Sequence, residues 1–250
     1  MSPPAYARLA RCARTVLASL HRRNLTRLAI IFDTDKWGRH WYTQHYATHL
    51  APLRRRRVNL LEIGVGGYED PLQGGASLRM WKSYFRHGRI VGIDLHDKSA
   101  LRERRVDIRQ CDQTDANALT KLSQEYGGFD VIVDDGSHLN AHVLRTFEIL
   151  FPLLRDGGIY AVEDTQTSYW PSWGGGLQSP SSMMVFFQRM TDGLNHAEYP
   201  IRGYSPSYWD THITSIAFFH NLIIITKGRN DEKSNAPGMI AREIQGTDAG

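Results

Sequence analysis

From residue 58 onward, short apolar runs alternate with longer segments whose apolar positions recur at helical spacing. VNLLEIG (58–64), RIVGIDL (89–95), VDIRQC (106–111), FDVIVDD (129–135) and GIYAVED (158–164) predict strands. SLRMWKSYF (77–85), DANALTKLSQEY (115–126, with Asp115 as N-cap) and AHVLRTFEILFPLL (141–154, stopped at Asp156-Gly157-Gly158) predict helices. Strands alternating with helices imply a parallel sheet covered on both faces, a doubly wound α/β fold. HITSIAFFHNLIIITKG (212–228) reads as a hairpin turning near His220-Asn221. Its two strands complete a seven-stranded sheet whose last strand is antiparallel.

Three regions depart from this rhythm. In residues 5–30, Leu9, Val16, Leu17, Leu20, Leu25, Leu28 and Ile31 recur at roughly helical spacing, predicting one or two amphipathic helices. DTDKWGRHWYTQHYATHL (33–50) is polar and aromatic, a loop entering a helix near Thr43. TQTSYWPSWGGGLQSPSS (165–182) is a long Gly-, Ser- and Trp-rich loop, followed by a helix near 181–195. The expected organisation is a helical, basic extension (1–57), a catalytic domain (58–228, with a lid at 165–211) and a polar, loosely held tail (229–250).

Composition adds limits. At 41% hydrophobic and 22% charged, the 250 residues suit a globular protein with a sizeable core. Arginines interrupt the N-terminal region, so no signal peptide is expected, and no apolar run is long enough for stable membrane insertion. Two cysteines, Cys12 and Cys111, suggest neither a disulfide scaffold nor a zinc cluster, and fit a cytoplasmic protein. Residues 1–57 hold 12 Lys/Arg against 2 Asp, a balance of +10; the remainder holds 18 against 24, a balance of −6. No nucleic-acid motif accompanies the basic quarter, which reads as a solvated helical face.

The chemistry gathers at predicted strand ends. In LLEIGVGGYEDP, Glu62 precedes Gly64, Gly66 and Gly67, a turn that brings backbone close to a ligand. Glu69 stands where the dinucleotide fingerprint needs its third glycine, which disfavours a nicotinamide dehydrogenase. A carboxylate opening the turn suits a ligand carrying an amine. Asp94, ending the second strand, can take ribose hydroxyls, and Asp112-Gln113 lie beside an adenine-sized slot. The fourth and fifth strands end in Asp134-Asp135 and Glu163-Asp164. Carboxylates gathered at neighbouring strand ends repel unless a divalent cation joins them, and oxygen ligation favours Mg²⁺, Mn²⁺ or Ca²⁺. His138, just beyond Asp135, is placed to accept a proton.

E-x-G-x-G, a second-strand acid and a third-strand Asp resemble the class I S-adenosylmethionine (SAM)-dependent methyltransferases, whose sheet is Rossmann-like. DDGSH (134–138), followed 25 residues later by ED, and DTDKW…YT..Y resemble the metal-dependent sugar O-methyltransferases of macrolide biosynthesis, over roughly residues 30–228. Length and the basic N-terminus look more like mycobacterial sugar O-methyltransferases of methylmannose polysaccharide synthesis. The resemblance implies that Asp135, Glu163 and Asp164 hold Mg²⁺ (or Mn²⁺) and that His138 is the base. It places Thr34, Tyr42, Ser77 and Asp134 at the cofactor pocket beside Glu62, Gly64, Gly66, Asp94, Asp112 and Gln113. Tyr169, Trp170 and Trp173 are expected to form an aromatic lid over the acceptor. The implied acceptor is a small molecule or oligosaccharide: a mannoside, or the deoxysugar of a natural product. A homo-oligomer, dimer or higher, is expected. A metal-dependent catechol or phenol O-methyltransferase, and a non-enzymatic basic nucleic-acid-binding protein on the same fold, are the rival readings.

Overall fold

The computed structural model describes residues 13–247, which divide into two compact units that meet between Ser137 and His138 in the sequence.

In the first unit, residues 13–20 are helical. Helix α1 (Leu25–Phe32) follows, its N-terminus capped by the Asn24 side chain, which accepts from the backbone N–H of Arg27 at 2.9 Å. Helix α2 (Thr43–Leu50) starts where the pattern predicts. Next come β1 (Asn59–Ile63), α3 (Ala76–Tyr84), β2 (Arg89–Asp94), β3 (Val106–Gln110), α4 (Ala116–Tyr126) and β4 (Phe129–Asp134). The four strands are parallel in the order β3-β2-β1-β4, with Leu61 opposite Val91 and Ile132. Asp115 caps α4 as expected, accepting from Asn117 and Ala118 N–H groups. All six residues of β4 are buried, its two aspartates included, and Asp130 is satisfied by the Asn59 N–H at 2.8 Å. Leu28, Leu78, Trp81, Ile90, Ile93 and Val131 lie in the core.

The second unit holds α5 (Asn140–Leu153), β5 (Leu154–Glu163), α6 (Met183–Gly193), α7 (Tyr208–His212), β6 (Ile213–Phe219), β7 (Leu222–Lys227) and α8 (Pro237–Thr247). Its strands run in the order β5-β7-β6, and β7 is antiparallel to both neighbours, the hairpin turning at Asn221 (φ 59°). Phe147 centres an aromatic core, with Phe151, Phe187, Tyr160 and Trp209 ring centroids 4.8 to 5.2 Å away.

Two expectations change. The helix predicted over 141–154 ends at Leu153, and Asp156-Gly157-Gly158 lies inside β5 rather than at a helix stop. The reason is a buried lysine. Lys227 Nζ donates to the carbonyls of Pro152 and Leu154 at 2.8 and 2.7 Å, satisfying the helix end without a glycine turn. Val16, Leu17 and Leu20 are exposed rather than packed, and only Ala18 of that turn is buried; Leu9 lies outside the described residues. The polar C-terminal segment contains α8.

Candidate active site

Within the first unit, the turn after β1 is built on backbone contacts that exclude side chains. Gly64 has φ +90°, and a Cβ there would meet the Asp135 carbonyl oxygen at 2.1 Å. The Asp135 N–H in turn donates to the Ile63 carbonyl at 3.0 Å. The end of β1 is thus seated on the end of β4. Gly66 also takes a positive φ, 77°, with open space where a side chain would stand.

Glu62 is fully buried at this turn. Its Oε2 accepts from Ser77 Oγ at 2.8 Å, and its Oε1 lies 3.2 Å from Lys36 Nζ. Burial pushes the Glu62 carboxyl above the usual carboxylate range, an effect the Lys36 charge opposes and Asp135 reinforces. Lys36 itself has no exposed side-chain surface and also donates to Asp135 Oδ2 at 2.9 Å. Ser77, Glu62, Lys36 and Asp135 therefore form one continuous polar chain. Lys36 escapes the sequence reading, although it stands within the DTDKW stretch. Thr34 and Tyr42 flank it, both buried. The backbone N–H of Tyr42 donates to the Lys36 carbonyl at 3.2 Å, and the Tyr42 ring stacks on His40 at 4.7 Å.

The other residues expected at the cofactor pocket are individually anchored. Asp94 accepts from two backbone N–H groups, Val65 by Oδ2 and His96 by Oδ1, both at 2.9 Å. It ties β2 to the glycine turn. Gln113 is buried; its Nε2 donates to Asp134 Oδ1 at 3.4 Å and its Oε1 accepts from the Ser137 N–H at 2.8 Å. Asp112 is exposed, and its Oδ1 accepts from the Thr114 N–H and hydroxyl at 2.7 and 2.8 Å.

In the second unit, His138 and Asp164 both adopt left-handed backbone conformations, φ 56° and 53°. For non-glycine residues this is strained backbone, of a kind that clusters at functional sites. His138 Nε2 lies 3.8 Å from Asp164 Oδ2, each side chain about one-fifth exposed. Glu163, closing β5, is buried. The segment after it is ordered by 3₁₀ turns, Thr165–Tyr169 and Pro171–Trp173. Thr167 Oγ1 donates to the His138 carbonyl at 2.8 Å. Asn140, also missed in the sequence, is buried. Its Nδ2 donates to the carbonyls of Thr167 and Trp173 at 3.0 and 2.9 Å, and its Oδ1 accepts from the Met183 N–H at 2.8 Å. Tyr169 and Trp170 are nearly half exposed, and Trp173 stands 6.5 Å from the His138 ring. No signal short of the fold itself marks Asn140, whose three bonds reach distant segments.

A family description of the methyltransferase domain matches residues 13–165. The chain belongs to this methyltransferase family. The chain is 48% identical over 208 residues, 82% of its own length, to 8-demethyl-8-alpha-L-rhamnosyl tetracenomycin-C 2'-O-methyltransferase of Streptomyces olivaceus, and covers 55% of that relative. It is 42% identical to mycinamicin VI 2''-O-methyltransferase of Micromonospora griseorubida, over 89% of this chain and 57% of the relative. Among solved structures, the methyltransferase of the mycinamycin pathway, in complex with Mg, S-adenosylhomocysteine (SAH) and mycinamycin VI, matches with a TM-score of 0.81 at 40% identity. That match covers 90% of this chain and 59% of that one. The class I methyltransferase fold expected from the strand pattern is thereby shown, while the chain spans little more than half the length of the relatives it matches. Among the described residues, no helix is long and apolar enough to cross a membrane.

Proposed function

We propose that this methyltransferase transfers the methyl group of SAM to a hydroxyl of a sugar or glycoside, with a divalent cation, Mg²⁺ or Mn²⁺, held by Asp135, Glu163 and Asp164. The observation that carries the reading is the His138–Asp164 pair, an imidazole 3.8 Å from a carboxylate on two strained, partly exposed residues. The relatives named for O-methylation of glycosides, and the related structure bound to Mg and SAH, support it.

The donor set fits the cation. Asp135, His138 and Asp164 each offer an atom suited to a metal, Glu163 adds another carboxylate, and oxygen ligands favour Mg²⁺ or Mn²⁺ over softer ions. Bound there, a divalent ion would make a chelated hydroxyl more acidic. His138 Nε2 accepts the proton of the acceptor hydroxyl as its oxygen forms a bond to the methyl carbon and the sulfur–carbon bond breaks. Asp164 then faces an imidazolium, which its carboxylate stabilises. Around the donor, Glu62 and the Gly64–Gly66 backbone address its amino acid end and Asp94 its ribose. Tyr169, Trp170 and Trp173 offer aromatic faces to sugar C–H surfaces. A cytoplasmic homo-oligomer belongs to the same reading, with subunit number readable by light scattering.

The test is a panel of mono- and oligosaccharides and deoxysugar glycosides incubated with SAM, with and without EDTA, read as the mass gain of one methylation. The reading expects EDTA-sensitive methylation of a glycoside. His138→Ala should retain SAH binding and lose about 10²- to 10⁴-fold in turnover. Full activity in that variant, or methylation indifferent to EDTA, would refute it.

A further inference from the structure

We infer that Lys36 is a metal-selectivity residue: by committing Asp135 Oδ2 to its ammonium, it restricts Asp135 to one-oxygen ligation and so favours Mg²⁺ over Ca²⁺. The inference rests on the proposed ligation of a cation by Asp135.

Burial and geometry both point this way. Removing an ammonium and a carboxylate from water carries a large desolvation penalty, repaid only where further hydrogen bonds satisfy the pair. Lys36 and Glu62, both fully buried, face each other at 3.2 Å. Asp135 is different. Its side chain is 22% exposed at the carboxyl end of β4, where a carboxylate needs no ion pair for folding. Lys36 nevertheless reaches it at 2.9 Å, the shorter of its two ion pairs. That bond satisfies the buried ammonium and at the same time fixes the orientation of Asp135.

That orientation has chemical content. Ca²⁺ accommodates many ligands and often takes both oxygens of one carboxylate. Mg²⁺ is smaller, demands near-octahedral geometry and takes carboxylate oxygens singly. A carboxylate oxygen turned to a buried ammonium is disfavoured as an ion ligand by that neighbouring charge, which leaves the other oxygen as the preferred ligand. The ammonium is itself fixed from behind, since Glu62 is anchored by Ser77 Oγ at 2.8 Å. Asp135 is held from the backbone side as well, by its N–H bond to Ile63 and the close approach of Gly64 to its carbonyl.

The experiment is calorimetric titration of the full chain with MgCl₂ and with CaCl₂, in wild type and in Lys36→Met. Wild type should bind Mg²⁺ in preference, and Lys36→Met should shift the affinity ratio toward Ca²⁺ by about tenfold or more. Because Lys36→Met strands a buried carboxylate, Lys36→Met/Glu62→Gln is measured beside Glu62→Gln alone, with thermal melting as the check on folding. The double variant should show the shifted ratio and Glu62→Gln the wild-type ratio. An unchanged ratio in a folded variant lacking Lys36 would overturn the selectivity role and leave the metal reading standing. A wild-type chain that binds neither ion would overturn the metal reading, and this inference with it.

Discussion

The side-chain oxygen of Asn140 accepts the backbone N–H of Met183 at 2.8 Å, joining the first turn of α5 to the start of α6 across more than forty residues of chain. The same side chain donates to Thr167 and Trp173. Asn140→Ala should lower stability by about 2–4 kcal/mol, three buried bonds being lost and their partners stranded. Asn140→Asp should be at least as damaging, since a carboxylate would face two carbonyl oxygens. Urea unfolding of both variants is the check, and an Asp variant as stable as wild type would remove Asn140 as the clasp of this segment.

Gly64→Ala should be strongly destabilising, by about 3 kcal/mol, because both its positive φ and the Asp135 carbonyl oppose a methyl group. Any folded fraction should bind SAH weakly, since the turn and the end of β4 must separate. Thermal melting and calorimetry with SAH measure the two effects. A variant with wild-type melting and affinity would show that the contact is easily relieved.

Lys227 predicts a pH dependence. Burial holds its ammonium below the ordinary lysine value of 10.5. Between the folded-state value and 10.5, the unfolded chain carries a proton that the folded chain has released. Stability contributed by this group therefore rises with pH through that interval and is lowest below it. Lys227→Met should abolish this rise while losing the bonds to Pro152 and Leu154. Denaturation midpoints of wild type and variant at mildly to strongly alkaline pH, compared point by point, isolate the effect from the tyrosines. Parallel curves would contradict it.

The readable features were those with a local cause. Asp115 announces its helix because an aspartate before an apolar-periodic run satisfies the first free N–H groups, and it does so here. The hairpin at Asn221 follows from a turn-forming residue between two apolar runs. Glu62, the glycine turn and Asp94 stand at the ends of β1 and β2, where the alternation of strands and helices puts them. What escaped was set by distant contacts. The end of α5 is decided by Lys227, from the far side of the second unit's sequence, not by the nearby glycines. Val16, Leu17 and Leu20 follow helical spacing yet remain exposed, since periodicity records an apolar stripe and not what covers it. Lys36 stands inside DTDKW without being marked out by it, and Asn140 carries no motif. Each is defined by partners that only the fold assembles.

The bond from Lys36 to Glu62 also bears on where this protein can be cut. A reader trimming the chain to its sheet would start at Val58 and discard the preceding stretch as an appendage. Such a fragment would keep every strand and lose the plug that neutralises an acid sealed behind the glycine turn. The stretch around Lys36 is a structural organ of the first unit and not a detachable module.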